Sequence, residues 1–287
     1  MCTRNLARVV LSGVSGISVC VANQVHCRAN NTRHFLVSRS FVTRRMMESV
    51  TVHPLATDPD IVAERDKYLN MPTSERRRHY KTKKFVTLED IPDWPAYSKA
   101  KNITASGSGK WSKRYDLSSK VSMFVGDITA LEIDAIVNAA NNAMLGGGGV
   151  DGAIHRAAGH KLVEECKMHN GCATGDAKIT GGYDLPAKYV IHTVGPVGEK
   201  EAKLHSCYLT CLETMKANRL RTLAFPCIST GVYHYPNKAA AHVALSTTRE
   251  WLEVEDNASK VDRIIYCLFL DKDVSIYEEL LPEYFPL

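Results

Sequence analysis

From residue 115 onward, short apolar runs take turns with longer amphipathic stretches. The runs at 121–125, 135–138, 177–180, 188–194, 222–228 and 263–270 predict strands. The stretches at 152–158, 160–169, 202–217, 237–253 and 274–281 carry apolar positions at helical spacing and predict helices. Runs such as Ala135-Ile-Val and Ile264-Ile-Tyr-Cys-Leu are apolar at successive positions, so both faces of those strands need a cover. Covered strands separated by helices indicate an α/β fold with a mostly parallel sheet and helices on both sides. In such folds ligands gather at the carboxyl ends of the strands.

The pattern differs upstream. Asp58-Pro-Asp-Ile-Val-Ala-Glu-Arg-Asp-Lys-Tyr-Leu69 reads as a short helix with an acidic start, and Thr73-Ser-Glu opens a second with capping residues. The basic run Arg76, Arg77, Arg78, Lys81, Lys83 and Lys84 reads either as a solvated helix face or as a contact for RNA or lipid. Residues 88–95 are turn-rich and 103–109 read as a linker. The chain therefore divides into residues 1–47, a helical extension with linker at 48–114, and one domain at 115–287.

Charge changes the picture only when it is split. The whole chain carries 36 Lys and Arg against 31 Asp and Glu, a formal +5. Residues 1–47 hold seven Arg, no Lys and no acid; subtracting those seven from 36 leaves 29 basic against 31 acidic residues, near −2. Excess positive charge is thus no argument that the folded part binds nucleic acid. An Arg-rich, Ser-containing, acid-free segment has the composition of a mitochondrial transit peptide. A secretory signal and a disordered basic tail are the alternatives. The expected location is the mitochondrial matrix, with cytosol or nucleus as alternatives. No apolar run approaches the ~20 residues that span a bilayer, so no membrane partner is expected. The nine cysteines are scattered with no Cys-x-x-Cys pair, which argues against a zinc or redox motif and for a reducing compartment. No metal and no cofactor is expected.

Two strand-to-helix turns carry the candidate chemistry. After the run at 135–138 come Ala139, Ala140 and Asn141, then the glycines Gly146, Gly147, Gly148 and Gly149, then Val150, Asp151 and, four residues on, His155. Four glycines put no Cβ between backbone and ligand. A helix N-terminus behind them offers free N–H groups to an anion, usually phosphate. The loop is neither a Walker loop nor the dinucleotide fingerprint. After the run at 222–228, Ile228, Ser229, Thr230, Gly231, Val232, Tyr233 and His234 form a second small-residue turn. Together the two turns can grip a diphosphate from both sides.

Gly126-Asp-Ile, Asn138-Ala-Ala-Asn141, Gly146-Gly-Gly-Gly-Val-Asp-Gly152, Gly195-Pro196 and Ile228-Ser-Thr-Gly-Val-Tyr233 resemble a macrodomain, and Ile154-His-Arg-Ala-Ala-Gly159 with residues 178–196 resembles its MacroD-type subgroup. The resemblance runs from about residue 115 to the C-terminus. It implies a three-layer α/β/α fold around a mixed, mostly parallel sheet. It also implies binding of ADP-ribose and hydrolysis of ADP-ribosyl esters, acting on mono-ADP-ribosylated acidic residues and O-acetyl-ADP-ribose. ADP-ribosylated nucleic-acid ends are a further substrate class, and a monomer is expected.

The resemblance also implies roles. Asp127, with Gly126 and the Ile128 backbone, takes the adenine amino group; capping of a turn with Thr129 is the alternative. Asn141 offers donor and acceptor to ribose hydroxyls, against an Asx turn. Asp151 orients or deprotonates a water at the distal ribose, and a nearby diphosphate should raise its pKa; a helix-start acid is the alternative. His155 shares a helix face with Asp151 and either tunes it or is packed. Tyr233 lies over the distal ribose. Phe269 stacks on adenine or belongs to the core. Asn138 is expected to hold the loop through local backbone bonds. His234 departs from the subgroup, which usually has glycine there; if the position has a positive φ, a histidine is strained there but tolerable. The rival to a hydrolase is a reader that binds ADP-ribose without turning it over.

Overall fold

The computed structural model describes residues 50–103, 109–254 and 256–287. Residues 1–47, and with them the transit-peptide reading, lie outside the described residues, as does most of the 103–109 linker. The described residues belong to one compact unit.

In chain order the helices are α1 (Pro59–Asn70), α2 (Thr73–Arg76), α3 (Trp94–Lys101), α4 (Tyr115–Ser118), α5 (Gly149–Ala158), α6 (His160–Met168), α7 (Glu201–Ala217), α8 (Asn237–Glu253) and α9 (Asp271–Tyr284). The strands are β1 (Val86–Thr87), β2 (Val121–Val125), β3 (Leu131–Glu132), β4 (Ala135–Ala139), β5 (Ala177–Gly181), β6 (Tyr189–Thr193), β7 (Thr222–Phe225) and β8 (Arg263–Leu268). Six strands form the central sheet in the order β2-β8-β7-β4-β6-β5. All neighbours run parallel except the edge pair β5 and β6. The sheet is therefore mixed and mostly parallel, as expected.

Alternation along the strands sorts side chains into two cores. Ala135, Val137, Leu223, Phe225, Ile264 and Tyr266 face α7, α8 and α9, packing on Tyr208, Leu212, Leu245, Trp251 and Tyr277. Ile136, Val190, Ala224 and Ile265 face the other way, onto Ile154, Ala158, Leu162 and Cys166 of α5 and α6. Successive apolar residues in one strand thus serve opposite layers, which explains the unbroken runs.

Several ends differ from the sequence expectation, and each difference shapes the site. β7 stops at Phe225 because Pro226 has no N–H for the ladder. β8 stops at Leu268, leaving Phe269 and Leu270 exposed. α5 starts three residues early, at Gly149, whose φ of 59° suits glycine.

The extension packs on the domain. Trp94 is fully buried and donates its indole N–H to Phe285 O at 2.9 Å. Arg65 forms a buried ion pair with Glu165 at 2.6 Å. Of the basic run, Arg76 reaches Pro186 O, Arg77 grips Glu132 with two bonds and Lys81 pairs with Asp184. Half of the run is thereby committed to the fold.

Candidate active site

A cleft of about 780 Å³ opens at the carboxyl ends of β2, β8, β7 and β4. Its walls are the turn after β2 (Gly126, Asp127, Ile128), the loop after β4 (Ala139 to Asn141, then Gly147 to Asp151), and the turn after β7 (Ser229 to Tyr233), with Phe269 at one end. Seventeen expected binding residues therefore meet in one place. Three others, and the expected catalytic His155, do not line it. Ile228 is fully buried beneath the turn. Gly146 sits behind the glycine loop, where its carbonyl accepts from Asn141. His155 lies behind Asp151, and His234 is exposed beyond Tyr233.

Among the described residues, the charged side chains lining the cleft are Asp127, Asp151 and Asp273. A bound anion must therefore be held by backbone N–H and hydroxyl groups. The N-terminus of α5, with the unpaired N–H groups of its first turn, supplies one bank. The opposite bank is the 229–233 turn, where Ser229 adopts φ 66° and its buried hydroxyl has no protein partner. Gly195 must be glycine because a Cβ there would stand 2.1 Å from that hydroxyl.

At one end of the cleft, Asp127 Oδ1 accepts from Thr129 N and Thr129 Oγ1, at 2.9 and 2.8 Å. The capping alternative is thus what the geometry contains. Phe269 is 79% exposed, so it is a rim residue and no part of the core.

At the other end, Asn141 is committed to its own loop. Its Oδ1 accepts from Ala143 N and Met144 N, and its Nδ2 donates to Gly146 O. This is the Asx turn; one Nδ2 hydrogen is left for a ligand. A Cβ on Gly147 would stand 3.0 Å from Asp151 Oδ2 and 3.2 Å from Asn141 Nδ2. Both side chains converge on that one spot.

Asp151 is buried in the first turn of α5. Its Oδ1 accepts from Asn138 Nδ2 at 2.8 Å, and His155 Nε2 stands 3.3 Å away. Burial pushes its carboxyl up, but His155 and Asn138 outweigh this, so the pKa lies below the usual carboxylate range. The sequence expectation of a raised value concerned a neighbouring diphosphate; the protein's own nearest groups act in the opposite direction. Asn138 is corrected too. It does not bond local backbone but spans from β4 to Asp151 and to His192 Nδ1, at 3.0 Å. His192 was missed by sequence reasoning. The signal was a polar residue inside the apolar run 188–194, and the strand register sets it directly beside Asn138. His155, Cys166 and His192 offer atoms within 4.8 Å of one another. Both His192 nitrogens already have partners in Asn138 and Thr180, and burial pushes the Cys166 thiol up, so the trio suits packing and not a metal ion.

An α/β/α sheet whose strand ends carry a glycine loop, a helix start and an opposing Ser-Thr-Gly turn forms an anion-binding cleft of the kind used by α/β domains. A sequence model of the Macro domain matches residues 137–244. Over 239 residues the chain is 51% identical to a Bos taurus protein described as ADP-ribose glycohydrolase MACROD1, covering 81% of this chain and 73% of that one. It is 50% identical over 232 residues to Mus musculus ADP-ribose glycohydrolase MACROD2, covering 78% and 48%. The solved Trypanosoma brucei macrodomain in complex with ADP superposes with a TM-score of 0.65 at 36% identity, covering 85% of this chain and 96% of that one. The same macrodomain in complex with ADP-ribose gives 0.62 at 34%, covering 83% and 95%. The chain belongs to the macrodomain family.

Proposed function

We propose that this protein is an ADP-ribosyl hydrolase that removes mono-ADP-ribose from acidic side chains of proteins and deacetylates O-acetyl-ADP-ribose. Its relatives at about half identity are named ADP-ribose glycohydrolases, and macrodomains of similar fold are solved with ADP and ADP-ribose bound. The observation that carries the reading is the convergence of Asp151 Oδ2 and Asn141 Nδ2 beside Gly147, within the anion-binding loop.

Adenine lies between Asp127 and Phe269, and the diphosphate spans the start of α5 and the 229–232 turn. The distal ribose then reaches Asn141, Asp151 and Tyr233. There Asp151 orients a water and accepts its proton as the water oxygen bonds to the ribose carbon and the ester C–O bond breaks, releasing free ADP-ribose and a carboxylate; the proton on Asp151 then passes to solvent. A carboxylate with a depressed pKa is a weak base, so orientation is the larger part of its task until substrate is bound. The diphosphate then opposes the ionised form and raises its basicity. The same geometry serves ADP-ribose linked to the phosphate end of a nucleic acid. The acid-free segment 1–47 supports a mitochondrial address, which N-terminal sequencing of the protein from isolated mitochondria tests.

The functional test is incubation of the full chain with a glutamate-ADP-ribosylated protein and with O-acetyl-ADP-ribose, followed by chromatography of free ADP-ribose. Release from both is expected. Tight binding of ADP-ribose with no release makes the chain a reader.

A further inference from the structure

Behind Asp151, three fully buried polar residues stand in line: Asn138, His192 and Thr180, each with no exposed surface. One assignment of donors and acceptors fits all the contacts among these three side chains, with Cys166 Sγ a more distant neighbour of His192 Nε2 at 3.8 Å. Thr180 Oγ1 donates its one hydrogen to Gly181 O at 3.1 Å. It must therefore accept at its 2.9 Å contact with His192 Nε2, which places the proton on Nε2. From the other side, the Asn138 amide nitrogen only donates. Its 3.0 Å contact with His192 Nδ1 requires that nitrogen to be bare. The two ends demand the same tautomer. The second hydrogen of the same amide goes to Asp151 Oδ1 at 2.8 Å.

This arrangement has a cost. Asn138 Oδ1 is buried with no hydrogen-bond partner, so its desolvation goes uncompensated. Flipping the amide would not help. It would turn oxygen toward the Asp151 carboxylate and toward the bare His192 nitrogen, two repulsive contacts. The amide forgoes one bond so that both hydrogens are spent on Asp151 and His192.

We propose that His192 and Thr180 are positioning residues for hydrolysis: Thr180 sets the His192 tautomer, His192 sets the Asn138 amide, and the amide aims and holds Asp151. The proposal rests on Asp151 as the water-orienting group. The titratable groups facing Asp151 are His155 on its own helix, His192 from the sheet and Cys166 from α6. Of these, His192 acts on Asp151 through an amide whose orientation it controls.

The experiment compares Thr180→Val, Thr180→Ser and Asp151→Asn with wild type. It measures kcat, KM, ADP-ribose affinity and the pH profile of kcat, on a glutamate-ADP-ribosylated protein. Thr180→Val removes the acceptor with almost no change of shape. The expected result is a fall in kcat of about tenfold, the worth of one hydrogen bond to a charged group. ADP-ribose affinity stays unchanged and the acid limb moves to higher pH as Asp151 loses its donor. Thr180→Ser restores both. Nitrogen NMR of wild-type imidazoles gives a readout independent of any variant's folding: His192 shows a proton on Nε2 and a bare Nδ1. A proton on Nδ1 overturns the proposal. So does a folded Thr180→Val with wild-type kcat and acid limb, or an equal loss in Thr180→Ser. Full turnover by Asp151→Asn overturns the Asp151 reading itself, a result distinct from slow Asp151→Asn beside unimpaired Thr180→Val.

Discussion

Asn138 Nδ2 donates to Asp151 Oδ1 at 2.8 Å, joining the end of a buried central strand to the first turn of the helix behind the glycine loop. One bond thereby ties a strand inside the central sheet to the residue nearest the proposed chemistry. Because the strand cannot move without the sheet, the carboxylate is placed before any ligand arrives, as catalysis by orientation requires.

The glycine loop is held against α5 with no room to spare. A Cβ on Gly152 would lie 2.4 Å from Gly147 O, a backbone atom. Gly152→Ala is expected to push the loop off its path and weaken ADP-ribose binding by about tenfold or more, since overpacking costs roughly 1–3 kcal/mol. Calorimetric titration with ADP-ribose checks this, and unchanged affinity refutes it.

His234 has φ 54°, so the strain that its departure from glycine would bring at a positive φ is present. A side chain in that region costs on the order of 1 kcal/mol, and the residue is exposed. His234→Gly should therefore gain about 0.5–1 kcal/mol, a rise in Tm of roughly 2–4 °C at most. His234→Ala keeps the Cβ and should show no gain. Equal shifts in the two variants contradict the strain.

The extension is anchored by Arg65 on Glu165, whose Oε2 also accepts from Gly181 N and Tyr183 OH. Arg65→Met leaves a buried carboxylate without its cation and should cost about 3–5 kcal/mol. Adding Glu165→Gln removes the charge and should return part of it. Urea denaturation measures both; a single-variant loss under about 1 kcal/mol contradicts the account.

His192 titrates at about 3, pushed down chiefly by burial. An unfolded chain protonates its histidines near pH 6.5. Between those values the unfolded state binds the extra proton, so stability rises with pH across the window and is lost as pH falls. The depressed Asp151 carboxyl acts in the same direction, its contribution disappearing as pH drops through its folded value. The His192 part amounts to several kcal/mol at the acid end. His192→Phe should flatten the slope of stability between pH 6.5 and 4, and an unaltered slope contradicts this.

The fold was legible because period-two burial and helix spacing act locally. All six strands of the sheet and every long helix of the domain fall where the apolar pattern placed them. The ends were harder: β7 stops at a proline, and α5 begins on a glycine whose φ no periodicity reveals. The cleft walls were legible as motifs beside strand ends. Polar contacts between elements were not. Asn138 and His192 lie 54 residues apart in sequence, and only strand register brings them together. Asn141, Asp127 and His155 show the converse. Their residue types fit several roles, and the bonds that Asn141 and Asp127 make within their own turns appear only in the folded loops.

The most direct test of the central claim is single-turnover release of ADP-ribose from a glutamate-ADP-ribosylated protein by the full chain and by Asp151→Ala, with ADP-ribose affinity measured on both. The account predicts rapid release by wild type and release at least a hundredfold slower by the variant, about 2.7 kcal/mol of lost transition-state stabilisation. Affinity for free ADP-ribose should be similar in the two. Equal release rates, or a loss of rate explained wholly by lost binding, would contradict it.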